Sequence, residues 1–179
     1  MFKRVVILEG FDKVGKTTYA ANNLEGYRVY RPEESFIDET VGIENRWLIS
    51  TVVLDFVQSG IETSKFVLNR SIFSSYVYAK LTGIDISEKI LDWFKTHKYL
   101  KYGTTIIHIK HRDKLTARII YGAAEKDGPT GFKSFAEYWD YYLKAEKLYE
   151  EIYQKLDITP TYVYSYTKFD GTPLWGVVQ

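Results

Sequence analysis

The sequence predicts an α/β fold in three layers, a five-stranded parallel sheet with helices on both faces. Three observations carry that expectation. Short apolar or β-branched runs alternate with helix-patterned segments along the chain. The first run, Val5 to Leu8, leads into a glycine-rich octet, Gly10-Phe11-Asp12-Lys13-Val14-Gly15-Lys16-Thr17. No repeat, low-complexity tract or linker interrupts the alternation, so residues 1–179 are expected to form one domain.

The elements follow in order. Val5-Val6-Ile7-Leu8 reads as a strand buried on both faces, and Gly15 to Asn23 as a helix. Tyr27 to Tyr30 is a second strand, stopped by Pro32. Ser35 to Gln58 reads as mostly helical, with Trp47, Leu48, Val52, Leu54 and Phe56 among its apolar positions. Lys65 to Asn69 is a third strand, and Ser71 to Leu81 and Asp85 to His97 are helices. Thr104 to Lys110 is a fourth strand, and Lys114 to Ile120 begins another helix. Gly122 to Gly131, rich in Gly, Ala and charge, reads as a mobile loop. Ser134 is placed to N-cap a helix through Leu156, with Glu137 completing a capping box. On that helix Phe135, Trp139, Tyr142, Tyr149, Ile152 and Leu156 recur at helical spacing as core. Thr161 to Tyr166 is the fifth strand.

Composition narrows the function classes. The 16 Tyr and 10 Phe imply a core built from large rings, some of which would line a pocket for a flat base. A formal charge of +1 disfavours a general nucleic-acid binder. There is no Cys, hence no disulfide and no thiolate metal site. Met1-Phe2-Lys3-Arg4 leaves no room for a signal peptide before the first strand, and no apolar run approaches the ~18 residues of a membrane span. The expectation is a cytoplasmic protein without membrane contact.

The octet matches G-x-x-x-x-G-K-[ST], a phosphate-binding loop, in the strand-to-helix context its mechanism requires. Gly10 and Gly15 let the backbone turn tightly and approach phosphate oxygens. The helix start offers free N–H groups and a favourable dipole. Lys16 would reach the β- and γ-phosphates of ATP, and the Thr17 hydroxyl would ligate Mg²⁺.

With Thr18 added, Gly10 to Thr18 resembles the G-x-D-x-x-G-K-[ST]-T loop of thymidylate kinases. Asn69-Arg70-Ser71-Ile72-Phe73-Ser74-Ser75-Tyr76-Val77-Tyr78 resembles the Asp-Arg-Tyr-x-x-Ser-Ser-x-Ala-Tyr signature of that family, with Arg70, Ser74, Ser75 and Tyr78 in register. Arg31-Pro32-Glu33 and Leu115 to Ile119 lie where the family carries an Arg/Pro/Glu loop and the start of its lid. The resemblance implies a P-loop kinase fold with a small lid near residues 121–132 and use of ATP with Mg²⁺. It implies that Gly10, Asp12, Lys13, Val14, Gly15, Lys16, Thr17 and Thr18 hold the donor. Asp12 would hold the acceptor 3′-hydroxyl, and Arg70, with Arg31, would bind acceptor phosphate. Ser74 and Tyr78 would sit beside the acceptor, and Arg118 and the lid would close over the donor. The segment from Thr167 to Pro173 is where relatives contact the donor adenine.

Two departures concern the acceptor. Asn69 replaces the usual Asp, and Glu33, or failing it Asp12, is the candidate for the missing carboxylate. The lid has no second arginine. The leading expectation is a deoxynucleoside monophosphate kinase. A deoxynucleoside kinase, a kinase of polynucleotide ends or modified bases, and a non-catalytic nucleotide-binding regulator remain open, and a homodimer is compatible with the sequence. Trp47 and Phe56 are open between stacking on a base and core packing. His108 and His111 read as surface residues without metal spacing.

Overall fold

Val5–Glu9 forms β1, and all five residues are buried because strands on both sides and helices above and below enclose it. The computed structural model describes residues 5–31, 48, 51–52, 65–97, 104–127, 131–167 and 173–177. After β1 come α1 (Lys16–Asn23), β2 (Arg28–Tyr30), β3 (Phe66–Asn69), α2 (Ile72–Leu81) and α3 (Ser87–His97). Then follow β4 (Thr104–His111), α4 (Lys114–Asp127), α5 (Phe135–Lys155), β5 (Thr161–Thr167) and β6 (Pro173–Val177).

The sheet order is β2-β3-β1-β4-β5-β6. The five expected strands are parallel, with Val5 to Glu9 in register with Thr104 to His108 on one side and Val5 to Leu8 with Phe66 to Asn69 on the other. From β1 to β2 the chain moves one way along the sheet, and from β3 through β4 to β5 it moves the other way. Right-handed crossovers therefore put α1 on one face and α2 to α5 on the other. On the second face α5 packs against α2 and α4. Tyr76, Tyr138 and Tyr149 are among the largest fully buried side chains, so the tyrosines do build the core.

Several expectations are corrected. A sixth strand, β6, pairs antiparallel with β5 at the sheet edge. Pro173 and Gly176 obscured it, yet proline is tolerated at the first residue of an edge strand. Thr167 and Pro173 are thus opposite each other at the ends of a hairpin rather than in a loop after the last strand. Helix α4 runs through Gly122 to Asp127, so the first six residues of the expected loop are helical despite the glycine. Of residues 35–58 only Leu48, Thr51 and Val52 are described; they are helical, with Leu48 and Val52 exposed, and Trp47 and Phe56 lie outside the described residues. Ser134 caps α5 as expected, its Oγ accepting the Glu137 N–H at 3.2 Å, while the Glu137 carboxylate accepts the Lys133 N–H at 2.6 Å. No helix among the described residues is long and apolar enough to cross a membrane.

Candidate functional site

The glycine-rich loop leaves the carboxyl end of β1, beside the carboxyl ends of β3 and β4, where the chain changes direction along the sheet. Gly10 is held at φ 128°, and a Cβ there would lie 2.3 Å from the Ile109 carbonyl oxygen. Only glycine fits that approach. Gly15, at φ 91°, is the N-cap of α1. Lys13, at φ 61°, adopts the left-handed region that costs a side chain free energy. Val14 and Phe11 are buried beneath the loop, and Thr17 and Thr18 are exposed at the helix start.

The Lys16 ammonium curls back over the loop and donates to the carbonyls of Gly10 and Phe11, both at 2.7 Å. These two bonds fix the Lys16 ammonium against the loop backbone. Asp12 is ion-paired with Arg70. Burial pushes the Asp12 carboxyl up, but the charges of Arg70 and Lys16 outweigh it and hold the group below the usual carboxylate range. The Arg70 guanidinium also lies over the Tyr78 ring, 4.8 Å from its centre, and Phe11 stacks near that ring at 5.8 Å. Arg70 itself has φ 76°, and its N–H is bonded to the Leu8 carbonyl at 2.9 Å. A non-glycine residue held there is expected only where its surroundings over-determine it.

Around Thr17 the Asn69 amide donates to the hydroxyl at 3.3 Å and Arg31 approaches it at 3.4 Å. The Asn69 side-chain oxygen is buried without a hydrogen-bond partner among the described residues. Among the described residues no cluster of three His, Cys, Asp or Glu could cage a metal. One hydroxyl, an adjacent amide oxygen lacking a partner, and incoming phosphates form an all-oxygen donor set. That set fits Mg²⁺, which keeps water and takes few protein ligands.

Ser74 is not open to an acceptor. It is fully buried, and its hydroxyl donates to Glu9. Glu9 is the residue sequence reasoning missed. It closes β1, is fully buried, and accepts hydroxyl protons from both Ser71 and Ser74. Burial raises its pKa, against the lowering pull of those two hydrogen bonds. Because Ser71 N-caps α2, Glu9 ties the strand under the loop to the helix that follows Arg70. The signal was legible: a lone acid ending a wholly apolar strand in a central position must find partners.

The two histidines are corrected from surface to interior, because β4 is covered on the face carrying α5. His108 is the register partner of Glu9 and bonds Tyr153 at 2.9 Å and Glu146 at 3.0 Å. His111 bonds the Tyr138 hydroxyl at 2.7 Å, and that hydroxyl donates to the Asp12 carbonyl at 2.7 Å. Tyr138, Tyr142, Glu146, Tyr149 and Tyr153 thus form a buried polar-tipped stripe on α5. The stripe runs under the loop, where an apolar face was expected. Arg118 lies exposed on α4 without a hydrogen bond or ion pair among the described residues. Glu33 lies outside the described residues.

No family model matches the chain, and no curated protein matches it in sequence. Solved structures do match. The YorR protein from Bacillus subtilis, in complex with phosphorylated GDP, is similar at a TM-score of 0.59 and 18% identity, over 88% of this chain and 84% of that one. The chain has a P-loop kinase fold. Deoxyadenosine kinase from M. mycoides with bound dATP is similar at a TM-score of 0.51 and 14% identity, over 88% of this chain and 89% of that one. On the fold shared with these proteins, the loop of Gly10 to Thr17 and the ends of β2 and β3 bring Lys16, Thr17, Arg31, Asn69, Asp12 and Arg70 into one site.

Proposed function

We propose that the chain is an ATP- and Mg²⁺-dependent phosphotransferase of the nucleotide kinase class, with a deoxynucleoside monophosphate as acceptor. The observation that carries this reading is the charge arrangement at the strand ends. Lys16, Arg70 and Arg31 gather at one end of the sheet together with Asp12. Such a cluster of cations suits two phosphate-bearing ligands.

Catalysis then rests on positioning and charge neutralisation. Lys16 exchanges two loop carbonyls for donor phosphate oxygens. Arg70 exchanges Asp12 for the acceptor phosphate, and the freed Asp12 carboxylate takes the acceptor's 3′-hydroxyl. Thr17, with a water on Asn69, would hold Mg²⁺, which would supply further charge neutralisation when bound with ATP. Arg118 and the segment after α4 exclude water from the site by closing over the donor.

A deoxynucleoside acceptor is the second reading, favoured by the fold shared with a deoxyadenosine kinase. An alcohol needs a base, and Asp12, held ionised and paired by Arg70, is a poor one. The test is transfer of labelled γ-phosphate from ATP with Mg²⁺ to monophosphates, nucleosides and DNA, beside a Lys16→Ala control. Lys16-dependent labelling of a monophosphate is the expected result. Labelling of nucleosides or DNA instead would overturn the acceptor, and ATP binding without transfer would indicate a regulator.

A further inference from the structure

We propose that Tyr138 is a positioning residue for the phosphate-binding loop, acting through the Asp12–Lys13 peptide and oriented by His111. The inference rests on reading the loop as a nucleotide site.

A tyrosine hydroxyl has one proton. The Asp12 carbonyl can only accept, so the hydroxyl donates to it at 2.7 Å and must accept from His111 Nε2, also at 2.7 Å. Burial keeps the imidazole neutral, pushing its pKa down to about 4. A neutral ring that donates from Nε2 leaves Nδ1 as an acceptor, facing the Ser165 hydroxyl at 3.2 Å, whose single proton is shared between Nδ1 and the Lys110 carbonyl, also at 3.2 Å. The direction of the chain is therefore fixed from His111 to Tyr138 to Asp12. The His111 N–H in turn donates to the Tyr142 hydroxyl at 3.1 Å, which pins the residue at the end of β4.

The consequence lies on the other side of the peptide bond. The chain has no cis peptide among the described residues, so the Asp12 carbonyl and the Lys13 N–H point in opposite directions. Drawing the carbonyl down toward α5 turns the Lys13 N–H away from α5, toward the mouth of the loop. The same peptide sets Lys13 at φ 61°, an orientation that a lysine does not adopt without support. The Gly10 and Phe11 carbonyls accept from the Lys16 ammonium, and that of Gly10 also takes a long bond from Tyr149 of α5 at 3.5 Å, whereas the Asp12 carbonyl is held by Tyr138. Tyr138 is the group that selects the donor-outward orientation of the Lys13 peptide. Its ring is also packed between Phe11 and Phe132, so it cannot swing away without disturbing the core.

Binding of inorganic tripolyphosphate, measured by calorimetry, tests this without reference to acceptor or turnover. Wild type is expected to bind it in a Lys16-dependent manner; absence of that binding would sink the nucleotide-site reading itself. With it in place, Tyr138→Phe is expected to weaken tripolyphosphate by about fivefold, the factor carried by one neutral hydrogen bond. Lys13→Gly, which relaxes the φ requirement, is expected to shrink that penalty in the double variant. Unchanged affinity in a folded Tyr138→Phe protein, whatever its melting temperature, would overturn the inference and leave the nucleotide site standing. Should Tyr138→Phe fail to fold, amide resonances of wild type decide the matter. The Lys13 N–H is expected to shift on tripolyphosphate addition along with those of Gly15 and Lys16, and a Lys13 signal that stays put refutes the proposal.

Discussion

At the scale of the residue, the site depends on groups whose surroundings leave them one option. Gly10 is the clearest. Any Cβ would collide with a strand carbonyl, so Gly10→Ala is expected to abolish ATP binding and to lower stability, read by calorimetry and by urea unfolding. Glu9 is a buried acid with two serine donors, and its removal strands both hydroxyls under the loop. Glu9→Ala is expected to cost about 3 kcal/mol in a urea titration, the range for a lost charged hydrogen bond with its partners left unmet. The octet with its glycines, lysine and threonine was plain in the sequence because each residue has a local job. His111 and Tyr138 were not, because their partners lie 27 and 126 positions away.

At the scale of the element, hydrophobic period gave the strands and most helices, and the capping Ser134 placed the start of α5. It erred where the tertiary setting overrode a local cue. Gly122 looked like a breaker, yet α4 continues through it. A methyl group there would meet nothing within 4 Å. Gly122→Ala is therefore expected to stabilise the protein by about 1 kcal/mol in urea unfolding, through backbone entropy alone. Helix α5 shows the opposite error. Its aromatic spacing read as apolar core, and the rings are buried, but their hydroxyls reach strand and loop partners that no periodicity can reveal.

At the scale of the whole molecule, the buried polar groups on the α5 face make stability depend on pH. His111 is neutral in the fold down to about 4, whereas the unfolded imidazole takes up its proton near 6.5. Between those values the unfolded state binds more protons, so stability is full above about pH 6.5 and declines as pH falls toward about 4. The loss from this residue is expected to reach about 3 kcal/mol, read as a falling urea midpoint, and His111→Gln should flatten the profile. Asp12, held below its usual range, adds a further loss only under about pH 3.8. The five-strand parallel core was legible from alternation because both faces of its central strands are apolar. The edge strand was not, since a short segment containing proline and glycine carries no such pattern.

The pairing of Arg70 with Asp12, and of Lys16 with two backbone carbonyls, has a consequence for selectivity. A resting site that neutralises its own cations offers little to a passing chloride or sulfate, which would have to displace those internal partners with a single charge. A chain of phosphates displaces several at once and recovers more than it disrupts. On the proposed reading the loop discriminates by the number of charges arriving together, and simple anions at ordinary concentrations are expected to be weak competitors of a nucleotide.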